Sequence, residues 1–438
     1  MSTPKPSTLR RLSTILNLVK TSSPPAPDGS SLCTFLQSAK QKYLSDVRAT
    51  PSKGSEWTVV MGNEAGDLDS VASSIAYAWV RSEIEKKPSI PLIQIAREDL
   101  VLRAENLYAL GLAGIHDPGA TLLCTTDIEE LTSTTTTTTF ALVDHNRLAD
   151  AFSKDSPTCR VVAVIDHHED EGLHRDAEPR HVQPAGSCAS HVANLYPKEV
   201  EMPSELATLL LSAILIDTNG LRVGGKAIQA DHDAAAYLIP RSTLNADSVS
   251  SLSSAAEVKR LSDELDSKKS DVSHLGAWDL LRRDYKEYTY TLNWHPGNPT
   301  IKAGLATVPV KLKAWGSDGK REEVANRFMD HRGLSVLGVL TSFRDSGKLG
   351  GKGKHRREQA WFVRDADTSQ GALQVDDIAA RLWKGLEESD ELRVEKHKKM
   401  SLSMAASTVQ WRIYKQGNAN ATRKATAPLL KNIIESAG

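Results

Sequence analysis

Short apolar runs in the first half of this chain end directly at side chains that can bind metal. The run 140–143 is followed by Asp144, and the run 161–165 is followed by Asp-His-His at 166–168. Stretches of helical length and periodicity lie between such runs, an alternation that predicts a parallel α/β sheet with helical crossovers. Because ligands bind beyond the carboxyl ends of parallel strands, we expect these polar side chains to meet at one edge of the sheet.

The spacing of apolar residues predicts the following elements. In the first part, strands are expected at 58–61, 92–95, 121–124, 141–143 and 161–165, and helices at 32–47, 70–86, 100–110, 190–196, 204–217 and 231–238. In the second part, strands are expected at 288–293, 301–308, 336–342 and 360–363, and helices at 256–268, 322–332, 375–386 and 427–435. The second part is therefore predicted to be a smaller α+β domain.

A chain of 438 residues is longer than one hydrophobic core usually supports, so two domains are expected. The small, Ser-rich stretch 227–254 marks the boundary, which gives a tail at 1–30, a first domain at 31–250 and a second at 256–438. With 25% charged residues and a net charge of -1, the composition is that of an ordinary soluble enzyme. Any basic site must then be local.

Cysteine usage and the N-terminal sequence bear on location. The four cysteines form no Cys-x-x-Cys pair, which argues against a disulfide framework or a thiolate zinc site and indicates a reducing compartment. The longest clean apolar run, 209–216, is too short to span a bilayer. The tail carries no acidic residue before Asp28, which fits a disordered cytosolic tail or a mitochondrial presequence. We expect a cytoplasmic protein, with a mitochondrial pool as the alternative.

Two carboxylates follow the first predicted strand. Asp67 and Asp69 lie two residues apart in a Gly-containing turn, and each can present oxygen to a different hard cation. The alternative is that Asp69 or Ser70 only caps the next helix. Asp144 ends a buried strand, where an unpaired carboxylate is costly, and is the candidate bridging ligand.

Imidazoles and further acidic positions complete the candidate set. A lone His is more often structural, but His167 and His168 after Asp166 favour a divalent metal, with Asp166 orienting an imidazole. Asp217 ends an apolar helix, whose C-terminus repels anions, and is predicted to be another ligand. Ser187 precedes a helix whose N–H groups suit phosphate, although plain capping is the alternative.

The motifs Asp-x-Asp at 67–69, Asp-His-Asn at 144–146 and Asp-His-His at 166–168, in this order, resemble the DHH phosphoesterase family. That family includes manganese-dependent inorganic pyrophosphatases, RecJ-type nucleases and eukaryotic exopolyphosphatases. Within it, the chain most resembles the fungal cytosolic exopolyphosphatase, in the segments 62–64, 96–100, 177–180, 213–218, 283–286 and 421–424.

The resemblance implies a Rossmann-like DHH catalytic domain at 31–250, a DHH-associated substrate-binding domain at 256–438, and an active site in the cleft between them. The metal ligands it implies are Asp67, Asp69, Asp144, His167 and Asp217, with Asn63 as a further candidate. It gives catalytic roles to Asp144, Asp166 and His168. The residues expected to contact phosphate are His145, Ser187, His168, Arg423 and Lys424.

Asn63 stands where the bacterial-type pyrophosphatases carry His. An amide oxygen is a harder ligand than imidazole, so we expect two divalent cations with magnesium preferred over manganese or cobalt. The central His145 is pyrophosphatase-like, which leaves the length of the phosphate chain open. Animal prune proteins carry Arg at the third position of Asp-His-His, and His168 points away from them.

A basic cluster in the second domain is suitable for a channel that holds further phosphates. It comprises Lys348, Lys352, Lys354, His355, Arg356 and Arg357. The alternative for the lysines is a solvated, Gly-rich surface loop. We therefore place the substrate contacts at His355, Arg356 and Arg357, which abut a predicted strand.

We expect a metal-dependent exopolyphosphatase, in which two bound cations activate water for attack on a terminal phosphorus of inorganic polyphosphate. The alternatives are an inorganic pyrophosphatase and, less favoured, a prune-like cyclic nucleotide phosphodiesterase. Nucleic acid is not expected, because the second domain lacks an aromatic-interleaved basic groove. No membrane or obligate protein partner is expected. A non-enzymatic interaction protein would have lost metal ligands, and none of the five is missing.

Overall fold

A computed structural model describes residues 31–129, 138–149, 152, 159–222, 224–244, 256–316, 320–345, 353–368, 371–373, 375–398, 400 and 409–436. The chain divides into two compact units, 1–271 and 272–438. The predicted second domain starts earlier, at 256. The difference arises because helix Ala256–Ser270 packs Leu261 and Leu265 into the core of the first unit. The predicted tail 1–30 lies outside the described residues, and a site between the units stays a prediction.

The sheet of the first unit has six parallel strands in the order β3-β2-β1-β4-β5-β6. Its strands are β1 Thr58–Met61, β2 Ser89–Ile93, β3 Leu123–Cys124, β4 Thr139–Val143, β5 Arg160–Asp166 and β6 Arg180–Val182. The strand order reverses between β1 and β4, and ligands of open α/β sheets bind at such a switch point. The predicted Rossmann-like parallel sheet is confirmed.

Helices cover both faces of this sheet. They are α1 Ser31–Ala49, α2 Pro51–Gly54, α3 Leu68–Trp79, α4 Ala104–Leu112, α5 Pro118–Thr121, α6 Thr125–Glu129, α7 Cys188–Leu195, α8 Ser204–Asp217, α9 Gln229–Leu238 and α10 Ala256–Ser270. Alternate residues of β1 enter different cores: Val60 packs in the cluster that contains α3 and α8, whereas Val59 and Met61 pack in the cluster that contains Trp57. Burial of both faces accounts for the Val-rich and Ile-rich strands.

Two predicted helices are shorter than expected. The stretch 70–86 is α3 followed by a π-helical turn, Val80–Ile84. The stretch 100–110 is divided into a 3₁₀ turn, Arg97–Leu102, and α4. Arg103 between them has extended backbone, and its guanidinium donates to the carbonyl of Ala65. The break in the helix thus supports the loop after β1.

The second unit has a mixed sheet in the order β14-β15-β11-β9-β8-β7, with β10 paired to β11, and a separate β12–β13 ribbon. Its strands are β7 Tyr285–Thr291, β8 Thr300–Val308, β9 Val336–Thr341, β10 Phe343–Arg344, β11 His355–Arg364, β12 Ala366–Thr368, β13 Gly371–Leu373, β14 Val394–Lys396 and β15 Val409–Gln416. Its helices are α11 Ala277–Arg283, α12 Arg321–Arg332, α13 Val375–Glu387 and α14 Arg423–Glu435. The predicted α+β fold is confirmed. Among the described residues, no helix is both long and apolar enough to cross a membrane.

Candidate metal centre

The loop after β1 carries two of the predicted ligands. The Oδ1 atom of Asp67 accepts a hydrogen bond from the backbone N–H of Ser70 at 3.1 Å, so the helix cap is Asp67 rather than Asp69 or Ser70. Asp69 lies in the first turn of α3 and is only 1% exposed. A Cβ atom on Gly62 would lie 2.5 Å from the Cβ atom of Ser70, so the loop packs on α3 only with glycine there.

The carboxylate of Asp69 is bound by the N-terminus of α7. It accepts hydrogen bonds from the Ser187 hydroxyl at 2.8 Å and from the backbone N–H groups of Cys188 at 2.6 Å and Ala189 at 2.8 Å. A helix N-terminus stabilises such a negative charge. The buried hydroxyl of Ser187 and the neighbouring N–H groups are engaged by Asp69 in this structure, and the phosphate contact of Ser187 stays a prediction.

Asp144 lies directly after β4 in a strained conformation, with a φ angle of +61°. Its Oδ2 atom accepts hydrogen bonds from the Asn63 side chain at 2.8 Å and the Ser70 hydroxyl at 2.6 Å. Its Oδ1 atom lies 3.1 Å from Nε2 of His167. A non-glycine residue held in left-handed backbone is typical of functional sites, where the surrounding structure maintains the strain.

Asn63 supports Asp144 through its amide nitrogen. Its Nδ2 atom donates to Asp144, while its Oδ1 atom accepts a hydrogen bond from the backbone N–H of Ala65 at 2.9 Å. In this conformation the amide oxygen of Asn63 is engaged by the backbone, and the role of Asn63 as a further metal ligand stays a prediction, as does the preference for magnesium that rests on it.

Asp166 ends β5 and orients the segment that follows it. Its Oδ1 atom accepts from Nδ1 of His168 at 2.8 Å and from the backbone N–H of His167 at 2.8 Å, and its Oδ2 atom accepts from Asn146 at 2.6 Å. Burial alone would raise the pKa of Asp166, but the hydrogen bonds from His168 and Asn146 lower it below its ordinary value. Asp166 thus orients the imidazole of His168, which is 55% exposed.

His167 has the hydrogen bonds expected of a ligating imidazole. Its Nδ1 atom donates to the carbonyl of Ala185 at 3.0 Å, which turns Nε2 toward Asp144 at 3.1 Å and Asp69 at 3.8 Å. Burial opposes its protonation, yet the hydrogen bond with Asp144 and the charge of Asp69 raise the pKa of His167 to about 10.

Asp217, the last residue of α8, belongs to the same electrostatic cluster. Burial, then the charges of Asp69 and Asp67, raise the pKa of Asp217 to about 7. Burial and the charge of Asp144 raise the pKa of Asp69 to about 7, and burial raises that of Asp144. Acidic groups so placed destabilise one another as anions and are the ligands that divalent cations require.

The spacing of the possible ligand atoms also bears on whether this centre fits a divalent cation. Asp144, Asp166, His167 and His168 each offer one ligand atom, and these atoms all lie within 4.8 Å of one another. The carboxylate oxygens and imidazole nitrogens form a donor set suited to divalent metal. Asp144 and His167 of this group are predicted metal ligands and fit a divalent cation, whereas Asp166 and His168 are hydrogen-bonded to each other at 2.8 Å, and Asp67, Asp69 and Asp217 are not among its members.

His145 follows Asp144 and is held in one tautomer. Its Nδ1 atom lies 2.9 Å from the carbonyl of Val143, and its Nε2 atom is buried with no hydrogen-bond partner. Burial lowers the pKa of His145, so its ring is neutral near pH 7. Because this ring nitrogen is buried in the structure, the substrate contact of His145 stays a prediction.

In the second unit, the predicted basic residues of β11 divide between two faces. Side chains alternate along a strand, so His355 and Arg357 share one face and Arg356 lies on the other. Arg356 donates to Asp345 at 3.0 Å. The channel along these residues stays a prediction, and the alternation places His355 and Arg357 on one face of the strand. Lys348 and Lys352 lie outside the described residues.

Arg357 is the basic residue of β11 best suited to bind an anion. Its Nε atom donates to the carbonyl of Ala419 at 2.7 Å, and burial lowers its pKa. Within the described parts of the chain, it forms no ion pair with a carboxylate. A half-buried guanidinium without a negative partner is suited to bind a phosphate group.

Arg423 and Lys424 begin α14. Arg423 pairs with the carboxylate of Asp284 at 2.8 Å and donates to the Asp284 carbonyl at 2.9 Å. Lys424 is exposed and borders a groove of about 480 Å³ that Asn418 and Asn420 also line. The two predicted phosphate contacts therefore differ, since Arg423 is already paired in this structure.

Sequence reasoning missed the residues that support the ligands. Ser70 donates to Asp144 at 2.6 Å, and Asn146 donates to Asp166 at 2.6 Å. Both stand inside the motifs, so polarity at positions next to a ligand was an available signal. A hydroxyl or amide adjacent to a ligating carboxylate is a candidate for holding its partner.

Fold and site together define an α/β protein with a divalent-cation centre at the switch point of its parallel sheet. Comparison with known proteins shows two family matches: DHH family, N-terminal domain, over residues 57–214, and DHHA2 domain, over residues 263–433. A protein of Schizosaccharomyces pombe named "Putative exopolyphosphatase" is 32% identical over 325 residues, which are 69% of this chain and 79% of that protein. This chain belongs to the DHH family.

Two further relatives align over shorter parts. "Exopolyphosphatase PRUNE1" of Bos taurus is 30% identical over 257 residues, 56% of this chain and 52% of that protein. "Probable manganese-dependent inorganic pyrophosphatase" of Shouchella clausii is 29% identical over 164 residues, 37% of this chain and 47% of that protein. The alignments therefore span about half the length of these two relatives.

Proposed function

We propose that this protein is a metal-dependent exopolyphosphatase that releases orthophosphate from the ends of inorganic polyphosphate. The observation that carries the proposal is the cluster of Asp69, Asp144, His167 and Asp217 at the switch point, where acidic groups raise one another's pKa. The names of the Schizosaccharomyces pombe and Bos taurus relatives support the substrate class.

The chain's own residues hold and orient the reacting groups. Asp67, Asp69, Asp144, His167 and Asp217 would hold two divalent cations. Bound there, such cations supply charge neutralisation for phosphoryl oxygens and a lowered pKa for attacking water. Neighbouring hydrogen bonds keep these side chains in place before substrate arrives.

His168 is proposed to contact the terminal phosphoryl group. Its Nδ1 atom is held by Asp166 at 2.8 Å, which raises the pKa of His168 and favours the protonated ring. A protonated imidazole donates a charge-assisted hydrogen bond to a phosphate oxygen. Asp166 therefore acts by orienting and charging His168, in agreement with its own lowered pKa.

We propose manganese as the preferred cation, with magnesium and cobalt as the comparisons. The amide oxygen of Asn63, from which a preference for magnesium was expected, accepts a hydrogen bond from Ala65. The name of the Shouchella clausii relative supports manganese. The cytoplasmic location and the absence of membrane, nucleic-acid and obligate protein partners stay predictions.

Inorganic pyrophosphatase is the second candidate, favoured by the alignment with the Shouchella clausii protein and by the pyrophosphatase-like His145. The two functions differ in the length of chain they hydrolyse. An exopolyphosphatase shortens long chains from the end, whereas a pyrophosphatase acts on pyrophosphate alone.

The test is orthophosphate release from pyrophosphate, tripolyphosphate and long-chain polyphosphate, with gels that show the length of the remaining chain. We expect steady release from long chains without fragments of intermediate length. Asp144→Asn is the inactive control. Turnover of pyrophosphate alone would replace the proposed function by the second candidate.

A further inference from the structure

One buried carboxylate outside the DHH motifs binds the turn that precedes α7. Asp231, the third residue of α9, is completely buried. It accepts hydrogen bonds from the Ser190 hydroxyl at 2.6 Å and from the backbone N–H groups of Ile228 at 2.8 Å and Gly186 at 2.9 Å. Asp231 thus holds the turn 185–190 at Gly186 and at Ser190.

The same turn contacts two of the proposed metal ligands. The carbonyl of Ala185 accepts from Nδ1 of His167 at 3.0 Å, which directs Nε2 toward the acidic cluster. On its other side, the turn donates three hydrogen bonds to Asp69 through Ser187, Cys188 and Ala189. One short segment therefore sets the orientation of an imidazole and a carboxylate from different elements.

Packing leaves this turn little freedom to move. A Cβ atom on Gly186 would lie 2.6 Å from Cγ2 of Thr218 and 2.8 Å from Oδ2 of Asp231. The backbone at Gly186 is thus pressed against α9 and against the residue that follows the ligand Asp217. A displacement at Asp231 would be transmitted to the turn, because no gap is present to absorb it.

We propose that Asp231 is a positioning residue for the cation centre. Its carboxylate fixes the turn 185–190, and that turn orients Asp69 and His167 for binding divalent metal. Asp231 itself touches neither cation nor substrate. The inference rests on the proposed function in that it takes the acidic cluster to be a metal centre.

The test compares Asp231→Asn with Asp233→Asn, a control on the same helix whose side chain is exposed. Asparagine replaces one acceptor oxygen by an amide that faces N–H donors, so the turn loses part of its support. Loss of such outer partners typically lowers metal affinity about 10–100-fold. We expect that decrease in Mn²⁺ affinity for Asp231→Asn and none for Asp233→Asn, by isothermal titration calorimetry on metal-stripped full-length protein.

Far-UV circular dichroism and thermal melting separate positioning from general stability. A folded Asp231→Asn with wild-type Mn²⁺ affinity overturns the proposal, whatever its melting temperature. If Asp231→Asn does not fold, Ser190→Ala takes its place, since it removes one hydrogen bond of Asp231 and leaves the bond to Gly186. A folded Ser190→Ala should bind Mn²⁺ more weakly, and unchanged affinity would refute the inference.

The calorimetric readout is independent of the substrate. Wild-type protein that binds Mn²⁺ but releases no phosphate from polyphosphate contradicts the proposed function and leaves the role of Asp231 intact. Wild-type protein that binds no divalent cation contradicts both. The two proposals can therefore fail separately.

Discussion

Metal-stripped protein should become less stable as the pH rises, because the acidic cluster must then ionise without cations. Asp69 is 1% exposed, and burial together with the charge of Asp144 raises its pKa from 3.8 to about 7. A carboxyl with a raised pKa in the folded state favours folding below its unfolded pKa, and this stability is lost as the pH rises through the folded pKa. A shift of about 3 pKa units corresponds to about 4 kcal/mol.

The stability that Asp69 contributes is therefore lost between pH 3.8 and about pH 7, and the pKa of Asp217 is likewise raised to about 7. Because the charge of Asp69 contributes to the raised pKa of Asp217, their contributions do not add. The pKa of Asp166 is lowered in the folded protein, so its effect on stability has the opposite sign. That effect falls at pH values below the ordinary pKa of Asp166 and therefore outside this window. The expectation from Asp69 is a decrease in stability between pH 4 and pH 7 of about 4 kcal/mol. Asp144, whose pKa is also raised, and His167, whose pKa is raised from 6.5 to about 10, act in the same direction, His167 above its unfolded pKa.

The assay is urea unfolding of EDTA-treated protein, followed by far-UV circular dichroism between about pH 5 and about pH 8. Asp69→Asn should reduce the pH slope, Asp233→Asn should keep it, and added Mn²⁺ should restore stability at the upper pH. Identical pH slopes for wild type and Asp69→Asn would refute the reasoning.

Three further predictions concern turnover. Asp144→Asn and His167→Ala should each abolish phosphate release while circular dichroism stays native, since each removes a ligand; normal turnover in either contradicts the metal assignment. Arg423→Ala should raise KM or lower kcat on every chain length, and an effect confined to long chains would move Arg423 away from the site. Arg357→Ala should raise KM on long chains about tenfold, because it removes a charge-assisted hydrogen bond to the phosphate chain. Arg356→Ala should leave KM unchanged, since the partner of Arg356 is Asp345. Equal effects of the two variants would contradict a channel along one face of β11.

The parallel sheet could be predicted because its information is local. Short apolar runs predicted the central strands, and the almost continuously apolar α8 was predicted with the bounds Ser204–Asp217 that the structure shows. By contrast, β15 lies between β14 and β11 in the second sheet and was missed. Lys and Arg interrupt its sequence, Val409–Gln416, so its strand character depends on pairing with β11.

Most candidate ligands could be proposed from the sequence because they follow a strand or end an apolar helix, whereas supports that come from distant segments could not. Asp231 is one acidic residue on a helix, and its partner Gly186 lies 45 residues earlier in the chain. The orientation of Asn63 also required the structure, since an amide can offer either oxygen or nitrogen. Contacts between distant segments decide both cases, and sequence spacing carries no record of them.

The central claim is that the acidic cluster binds divalent cations and thereby hydrolyses polyphosphate. It is tested most directly by orthophosphate release from long-chain polyphosphate by metal-stripped protein, before and after Mn²⁺ is added. The account predicts no release before addition and progressive shortening of the chains afterwards, with Asp144→Asn inactive throughout. Equal release with and without metal, or full activity of Asp144→Asn, would contradict it.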